Sequence, residues 1–328
     1  MTGRIPDHVR AIAEADFSHV ADAFANAGFH VRIPARGILQ LASSSHMLRR
    51  PRLLLSVGVH GDETAPIELV ADLLDALAGD PHALAVDLMV VVGNIDAIAQ
   101  GKRFLDVDLN RLFRAERPVL PDVREAARAD AIMRASSGFF SGPDAEKWHL
   151  DLHTAIRPSH YPTFAVVPAA ISDVRRNALI GWLGQAGIGA VILNTIPSGT
   201  YSAYTAAAFG AASATVELGQ IGALGSNALS RFESTRAALD SFLRTARLPV
   251  GEQEPDLFRV AQELVKRSEA FRMAFGADTM NFTAMQPGST IAQDGDTVYR
   301  VGADTEYVVF PNPDVQIGTR AGLMVVRA

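Results

Sequence analysis

The chain has 328 residues, 48% hydrophobic and 20% charged, enough apolar side chain for one large domain and a smaller one. Its net charge of −6 and pI near 5.8 argue against a nucleic-acid surface, and the lack of cysteine excludes disulfides and thiolate nucleophiles or ligands. Residues 1–8 lack the apolar core of a signal peptide, and no stretch approaches the ~20 apolar residues of a membrane span, so a soluble, cytoplasmic protein without membrane contact is expected.

Residues 53–59 form the first clear element, a continuous apolar run of the kind a strand shows when both its faces are covered. The chain then turns through Gly58-Val59-His60-Gly61-Asp62-Glu63, and Thr64-Ala65-Pro66 opens a helix with Thr64 as cap and Pro66 in the first turn. Further strands are expected at 88–92, 148–152, 164–167, 190–193 and 214–218, with helices at 172–185 and 227–245. This alternation predicts a mostly parallel sheet with helices on both faces, whose ligands sit beyond the C-terminal strand ends. Residues 249–255, rich in Pro and Glu, read as a linker. After it come short strands at 257–266 and 307–310 and a turn at Asp294-Gly295-Asp296. The expected division is a catalytic α/β domain at 1–248 and a small β domain at 249–328.

The chemistry concentrates at strand ends. His60 and Glu63 follow the first strand and His153 follows another. Two imidazoles and a carboxylate are the ligand set of a catalytic zinc with one open position. Such a donor set suits zinc better than calcium or magnesium, and one Zn2+ per chain is expected. The bland alternative, a capping acid and a solvated histidine, carries about half the weight on His60 and Glu63 alone. Their Gly-flanked turn at a strand end and the repeat of that setting at His153 tip the balance. His149 lies deeper in its strand and reads as a packed core histidine, whereas Asp151 shares the face of His153 and is placed to orient it. Glu217 sits inside the apolar run Ala214-Thr215-Val216-Glu217-Leu218, where burying an acid is costly without a function or partner. It is the candidate general base. Between residues 101 and 113, Arg103, Asn110 and Arg111 are suited to binding carboxylates, Arg103 or Arg111 also to facing an oxyanion. Their bland alternative is a solvated loop paired with itself.

The strings Gly58-Val59-His60-Gly61-Asp62-Glu63-Thr64-Ala65-Pro66, Asp108-Leu109-Asn110-Arg111, Trp148-His149-Leu150-Asp151-Leu152-His153-Thr154-Ala155-Ile156-Arg157 and Val216-Glu217-Leu218-Gly219 resemble the succinylglutamate desuccinylase and aspartoacylase family. The likeness runs from about residue 50 to the C-terminus. The Ala155-Ile156-Arg157 extension and Glu306-Tyr307-Val308-Val309-Phe310-Pro311-Asn312-Pro313 favour its desuccinylating branch, while Pro158 and the segment from Gln220 to Leu224 depart from the pattern. The resemblance implies a zinc-carboxypeptidase-like α/β/α sandwich with an appended β domain, zinc on His60, Glu63 and His153, and Glu217 as general base and acid. It implies Arg103 at the oxyanion and Asn110, Arg111, Arg157 and Tyr307 on substrate carboxylates. The expected reaction is hydrolysis of N-succinyl-L-glutamate to succinate and L-glutamate, the closing step of the succinylating route of arginine degradation. Its partner is thus a small anionic N-acyl amino acid, and a homo-oligomer is compatible with the sequence. One rival is a related, aspartoacylase-like amidohydrolase acting on another N-acyl amino acid. A second is a non-catalytic zinc-binding scaffold, against which the retained Glu217 argues.

Overall fold

The structure is a computed structural model describing residues 4–44, 50–114, 116, 117, 120, 122–142, 145–248 and 254–328. In chain order its elements are α1 (Asp7–Ala13), α2 (Ser18–Asn26), β1 (His30–Ala35), β2 (Ile38–Ala42), β3 (Arg52–Val57), α3 (Ala65–Ala78), β4 (Asp87–Val92), α4 (Ile95–Ala99) and α5 (Arg124–Phe139). There follow β5 (Lys147–Ala155), β6 (Thr163–Pro168), α6 (Asp173–Gln185), β7 (Ala190–Asn194), α7 (Tyr201–Phe209), β8 (Ala212–Gln220) and α8 (Glu233–Thr245). The C-terminal part contributes β9 (Asp256–Val265), β10 (Arg272–Met273), β11 (Thr283–Met285), β12 (Thr290–Asp294), β13 (Thr297–Arg300), β14 (Glu306–Val309) and β15 (Arg320–Arg327).

One sheet runs in the order β1-β2-β4-β3-β5-β8-β6-β7-β9-β15-β14-β11. Its centre, β4-β3-β5-β8, is parallel, as the alternating pattern predicts. The sheet as a whole is mixed, because β2 meets β4, β6 meets β8 and β15 meets β9 antiparallel. The apolar run of β3 is buried on both faces. Leu53, Leu55 and Val57 pack with Ile67, Val70 and Leu74 of α3, while Leu54 packs with Ile132 of α5 and Tyr201 of α7. Helices on the two faces therefore leave the strand ends as the accessible edge.

Two local expectations change. Pro66 lies in the first turn of α3, but the Thr64 hydroxyl, instead of capping the helix, donates to Gly222 O at 2.7 Å. The helix expected from residue 227 begins at Glu233 after a 3-10 turn at Leu229–Phe232. Asn227 instead bonds the Thr64 hydroxyl (2.8 Å) and the Glu68 carboxylate (2.5 Å), which ties the segment after β8 to α3. Most of the linker expected at 249–255 lies outside the described residues. Beyond it β9 pairs parallel with β7, Ala190 opposite Asp256, so the C-terminal strands extend the central sheet, and β10-β12-β13 form a separate small sheet. Among the described residues no helix is long and apolar enough to cross a membrane.

Candidate metal centre

The turn after β3 depends on close backbone approach. A Cβ on Gly61 would lie 2.3 Å from the Ala97 carbonyl carbon and 2.6 Å from Lys102 O, so only glycine fits against the end of α4. There Gly61 donates its N–H to Arg103 O at 3.0 Å, which brings the arginine segment alongside His60 and Glu63. His153 comes from β5 and lies in register with Glu217 of the parallel neighbour β8, so both side chains leave the same face of the sheet. The register slips between His153 and Ala155, a bulge beside the site. The Thr154 N–H uses that irregularity to donate to Glu63 Oε2 at 3.0 Å.

His60, Glu63 and His153 are all buried, and their candidate ligand atoms lie within 4.8 Å of one another. Glu63 spans the two rings, with Oε1 2.8 Å from His60 Nδ1 and Oε2 2.8 Å from His153 Nδ1. Each ring turns its other nitrogen to a carboxylate. His60 Nε2 is 2.9 Å from Asp108 Oδ1, and His153 Nε2 is 3.0 Å from Asp151 Oδ2. The Ser56 hydroxyl donates to Asp151 Oδ1 at 2.5 Å. A carboxylate behind each imidazole fixes its tautomer and leaves Nδ1 as the donor. The set therefore fits a metal ion on its own chemistry: two nitrogens and a carboxylate, aimed inward and backed.

The electrostatics follow from this packing. Burial alone would raise Glu63, but His60 and His153 outweigh it and hold the carboxyl well below its usual range. Burial would lower His153, yet Asp151 and Glu63 push it well above the usual imidazole value. Asp108 is likewise held down, against burial, by His60, Arg111 and Arg103. Glu217 goes the other way. It is 5% exposed, its Oε2 has no hydrogen-bond partner among the described residues, and burial followed by the Glu63 charge pushes it up to about 7. A carboxyl poised near neutrality can both take and return a proton.

The structure brings some of the remaining sequence candidates to this group and leaves others elsewhere. Arg103, half-buried, donates to Glu63 Oε1 at 2.8 Å and places Nη2 3.2 Å from His60 Nε2. Asn110 is buried with Nδ2 3.5 Å from His153 Nε2, while its Oδ1 accepts from Tyr201 N at the start of α7 (2.9 Å). The Arg111 side chain is 43% exposed, and its Nη2 lies 3.6 Å from Asp108 Oδ2. Arg157 is engaged elsewhere, donating to the carbonyls of Gly276, Ala277 and Thr279. Tyr307 lies in an aromatic row, Phe164–Phe282–Phe258–Tyr307, three rings from Phe164, the strand neighbour of Glu217. His149 is the packed core histidine the sequence suggested, held by Ser56 (2.8 Å) and Thr205 (2.7 Å), and burial lowers it to about 4. Two participants escaped the sequence reading. Asp108 supports His60. Glu125, buried in α5, accepts from Leu105 N (2.8 Å) and Asp106 N (3.3 Å) and so anchors the segment that carries Arg103 and Asp108. Asp108 stood in a motif already singled out, but nothing local tells which side chain it meets.

Two imidazoles and a carboxylate that could hold a metal ion, with a second carboxyl buried beside them and, among the described residues, unpaired at one oxygen, give this α/β/α sandwich the make-up of a hydrolase. Residues 49–243 match the family model "Succinylglutamate desuccinylase/Aspartoacylase catalytic domain", and residues 253–328 match "AstE/AspA barrel-sandwich hybrid domain". The succinylglutamate desuccinylase of Burkholderia orbicola (strain MC0-3) is 44% identical over 279 residues, covering 84% of this chain and 81% of the relative. That of Paraburkholderia xenovorans (strain LB400) is 44% identical over 277 residues, with the same coverage of each. Among solved structures, succinylglutamate desuccinylase from Vibrio cholerae superposes with a TM-score of 0.84 at 33% identity, covering 91% of this chain and 88% of that one. The Chromobacterium violaceum enzyme gives 0.79 at 34% identity, covering 95% and 98%. The chain belongs to the succinylglutamate desuccinylase/aspartoacylase family.

Proposed function

We propose that this chain hydrolyses N-succinyl-L-glutamate to succinate and L-glutamate, with one zinc held by His60, Glu63 and His153. The observation that carries the reading is the Glu217 carboxyl, buried, unpaired at Oε2 and pushed up to about 7 beside the candidate ligands. The names of its relatives support the substrate, a small anionic N-acyl amino acid, which this reading places in the cytoplasm. Zinc held there would supply a Lewis acid that polarises the amide carbonyl and acidifies the attacking water. Glu217 takes the proton from the attacking water at its free Oε2 and returns it to the departing glutamate nitrogen. Arg103, beside Glu63 and His60, faces the oxygen on which negative charge develops. Asn110 and Arg111 take substrate carboxylates. Arg157 and Tyr307 act at one remove, Arg157 by holding the 276–279 segment and Tyr307 by packing the C-terminal strands.

Amine release from N-succinylglutamate, N-acetylglutamate and N-acetylaspartate tests the assignment. The succinyl group ends in a carboxylate that acetyl lacks, and an arginine left unpaired by acetyl costs ~1–3 kcal/mol. The expected kcat/KM for N-succinylglutamate is therefore at least ~10-fold above that for N-acetylglutamate. Equal rates on both sink the desuccinylase reading and leave the wider amidohydrolase class.

The metal site has its own expected result. Purified protein carries about one zinc per chain, and His60→Ala and His153→Ala each lose it. Elemental analysis that finds both variants as zinc-rich as wild type moves the site away from these residues.

A further inference from the structure

Behind His153 the sheet carries a line of polar side chains that the mechanism above leaves unused. Two-residue steps along β5 put His149, Asp151 and His153 on one face. Register sets Ser56 of β3 beside Asp151 and Ser213 of β8 beside His149, and Thr205 of α7 packs onto the same face. Ser56, His149, Asp151, Thr205 and Ser213 are all buried. Burying so many polar groups is tolerable only where each finds a partner, so their hydrogens can be assigned by counting.

The Ser56 hydroxyl has one hydrogen, and it goes to Asp151 Oδ1 at 2.5 Å. The same oxygen lies 2.8 Å from His149 Nε2, so that nitrogen must be the donor; otherwise two lone pairs would face each other. Burial lowers His149 to about 4 and keeps the ring neutral, which leaves Nδ1 without a hydrogen. Nδ1 therefore accepts from the Thr205 hydroxyl at 2.7 Å, a shorter contact than that hydroxyl has with Ser202 O (3.1 Å) or Tyr201 O (3.3 Å). The Thr205 oxygen is in turn 2.9 Å from the Ser213 hydroxyl. An edge-to-face contact with Tyr201, centroids 4.3 Å apart, holds the imidazole in this setting. The donors thus point one way, from Ser213 through Thr205, His149 and Ser56 to Asp151. At the end of the line Asp151 Oδ2 is 3.0 Å from His153 Nε2. A carboxylate with a fixed donor on one oxygen keeps the other aimed at the imidazole, which leaves His153 Nδ1 free to ligate.

We propose that His149 is a positioning residue for the metal centre: held as the neutral Nε2–H imidazole, it gives its one hydrogen to Ser56 and so fixes the Asp151 carboxylate that orients His153. The role rests on the reading of His153 as a metal ligand. His149 acts only through Ser56 and Asp151, with no part in moving protons.

The test uses the full chain with 15N-labelled histidine, zinc-free and zinc-loaded, and long-range 15N–1H spectra that distinguish the two imidazole tautomers. The His149 signal is identified by its loss in His149→Gln. Wild type is expected to show His149 as Nε2–H alone between pH 6 and 8, and the Nδ1–H form or a mixture overturns the proposal. Zinc affinity, read by competition with a chromogenic chelator, is expected to fall about 10-fold in Ser56→Ala and in His149→Phe. His149→Gln, whose amide can still donate to Ser56, is expected to recover part of that loss. Wild-type zinc affinity in both Ser56→Ala and His149→Phe overturns the role, and a lowered thermal midpoint in those variants would then mark a purely structural network. Should His149→Phe fail to fold, the wild-type tautomer and Ser56→Ala decide alone. The two claims part in wild type: zinc bound with His149 as Nδ1–H keeps the metal centre and loses the chain of donors. Nε2–H without zinc binding keeps the chain of donors and loses the metal centre.

Discussion

Glu217→Gln is expected to cut turnover at least ~10²-fold while zinc content stays at the wild-type level. Glutamine keeps the shape of the side chain but accepts no proton, and Glu217 is not among the candidate metal donors. Near-normal turnover in this variant would move the base elsewhere, with Glu63 next in line. The same substitution has a second, opposite effect on stability. A carboxyl at about 7 in the fold and near 4.5 when unfolded binds its proton more tightly in the native state. Its contribution to stability is thus full below about pH 4.5 and is lost as the pH rises towards 7. Over about 2.5 pH units, at 1.36 kcal/mol each, the loss comes to about 3 kcal/mol. In zinc-stripped protein, Glu217→Gln should therefore be more stable than wild type at pH 8, with the advantage gone by pH 4.5. Denaturant unfolding at the two pH values measures it, and parallel curves at both would mean that Glu217 is not held neutral by burial. Lower activity with higher stability from one substitution is the mark of a site whose strain serves its chemistry.

The centre of the fold was legible because β3, β4, β5 and β8 are buried on both faces and so read as apolar runs, and their ends carry His60, Glu63, His153 and Glu217. β1 was silent for the opposite reason. It is an edge strand, largely exposed, with Arg32 and Pro34 in place of an apolar pattern. The change of texture near residue 248 marks new composition, yet β9 pairs with β7 and carries the sheet across it, a long-range pairing that no local pattern encodes. Side-chain destinations were the least legible. Arg157 and Tyr307 follow motifs at the right places, but docking of the 276–279 segment and of Phe258 decides what each meets. Asp108 behind His60 depends on where two separate segments converge. Strand ends and ligand types can be read from one stretch of chain; pairings between stretches cannot.

Arg103 has two candidate roles that one variant separates. Its Nη1 lies 2.8 Å from Glu63 Oε1, so it orients a candidate metal donor, and the proposed reaction also gives it the substrate carbonyl oxygen on which negative charge develops. Burial opposes its charge, but Glu63, Asp108 and Asp62 more than compensate, so the guanidinium stays ionised at any working pH. If Arg103 serves the oxyanion, Arg103→Met should lower kcat by ~10²–10³-fold, the usual cost of removing one such donor, even when zinc is saturating. If it only steadies Glu63, the loss should appear as a ~10- to 100-fold weaker zinc affinity, and excess zinc should restore kcat. The expected result is the first. The carboxyl it touches is already tied to His60, His153 and Thr154, three partners that hold Glu63 without its help. Titrating zinc into Arg103→Met while following N-succinylglutamate hydrolysis gives the answer, and full recovery at high zinc would remove Arg103 from the chemistry.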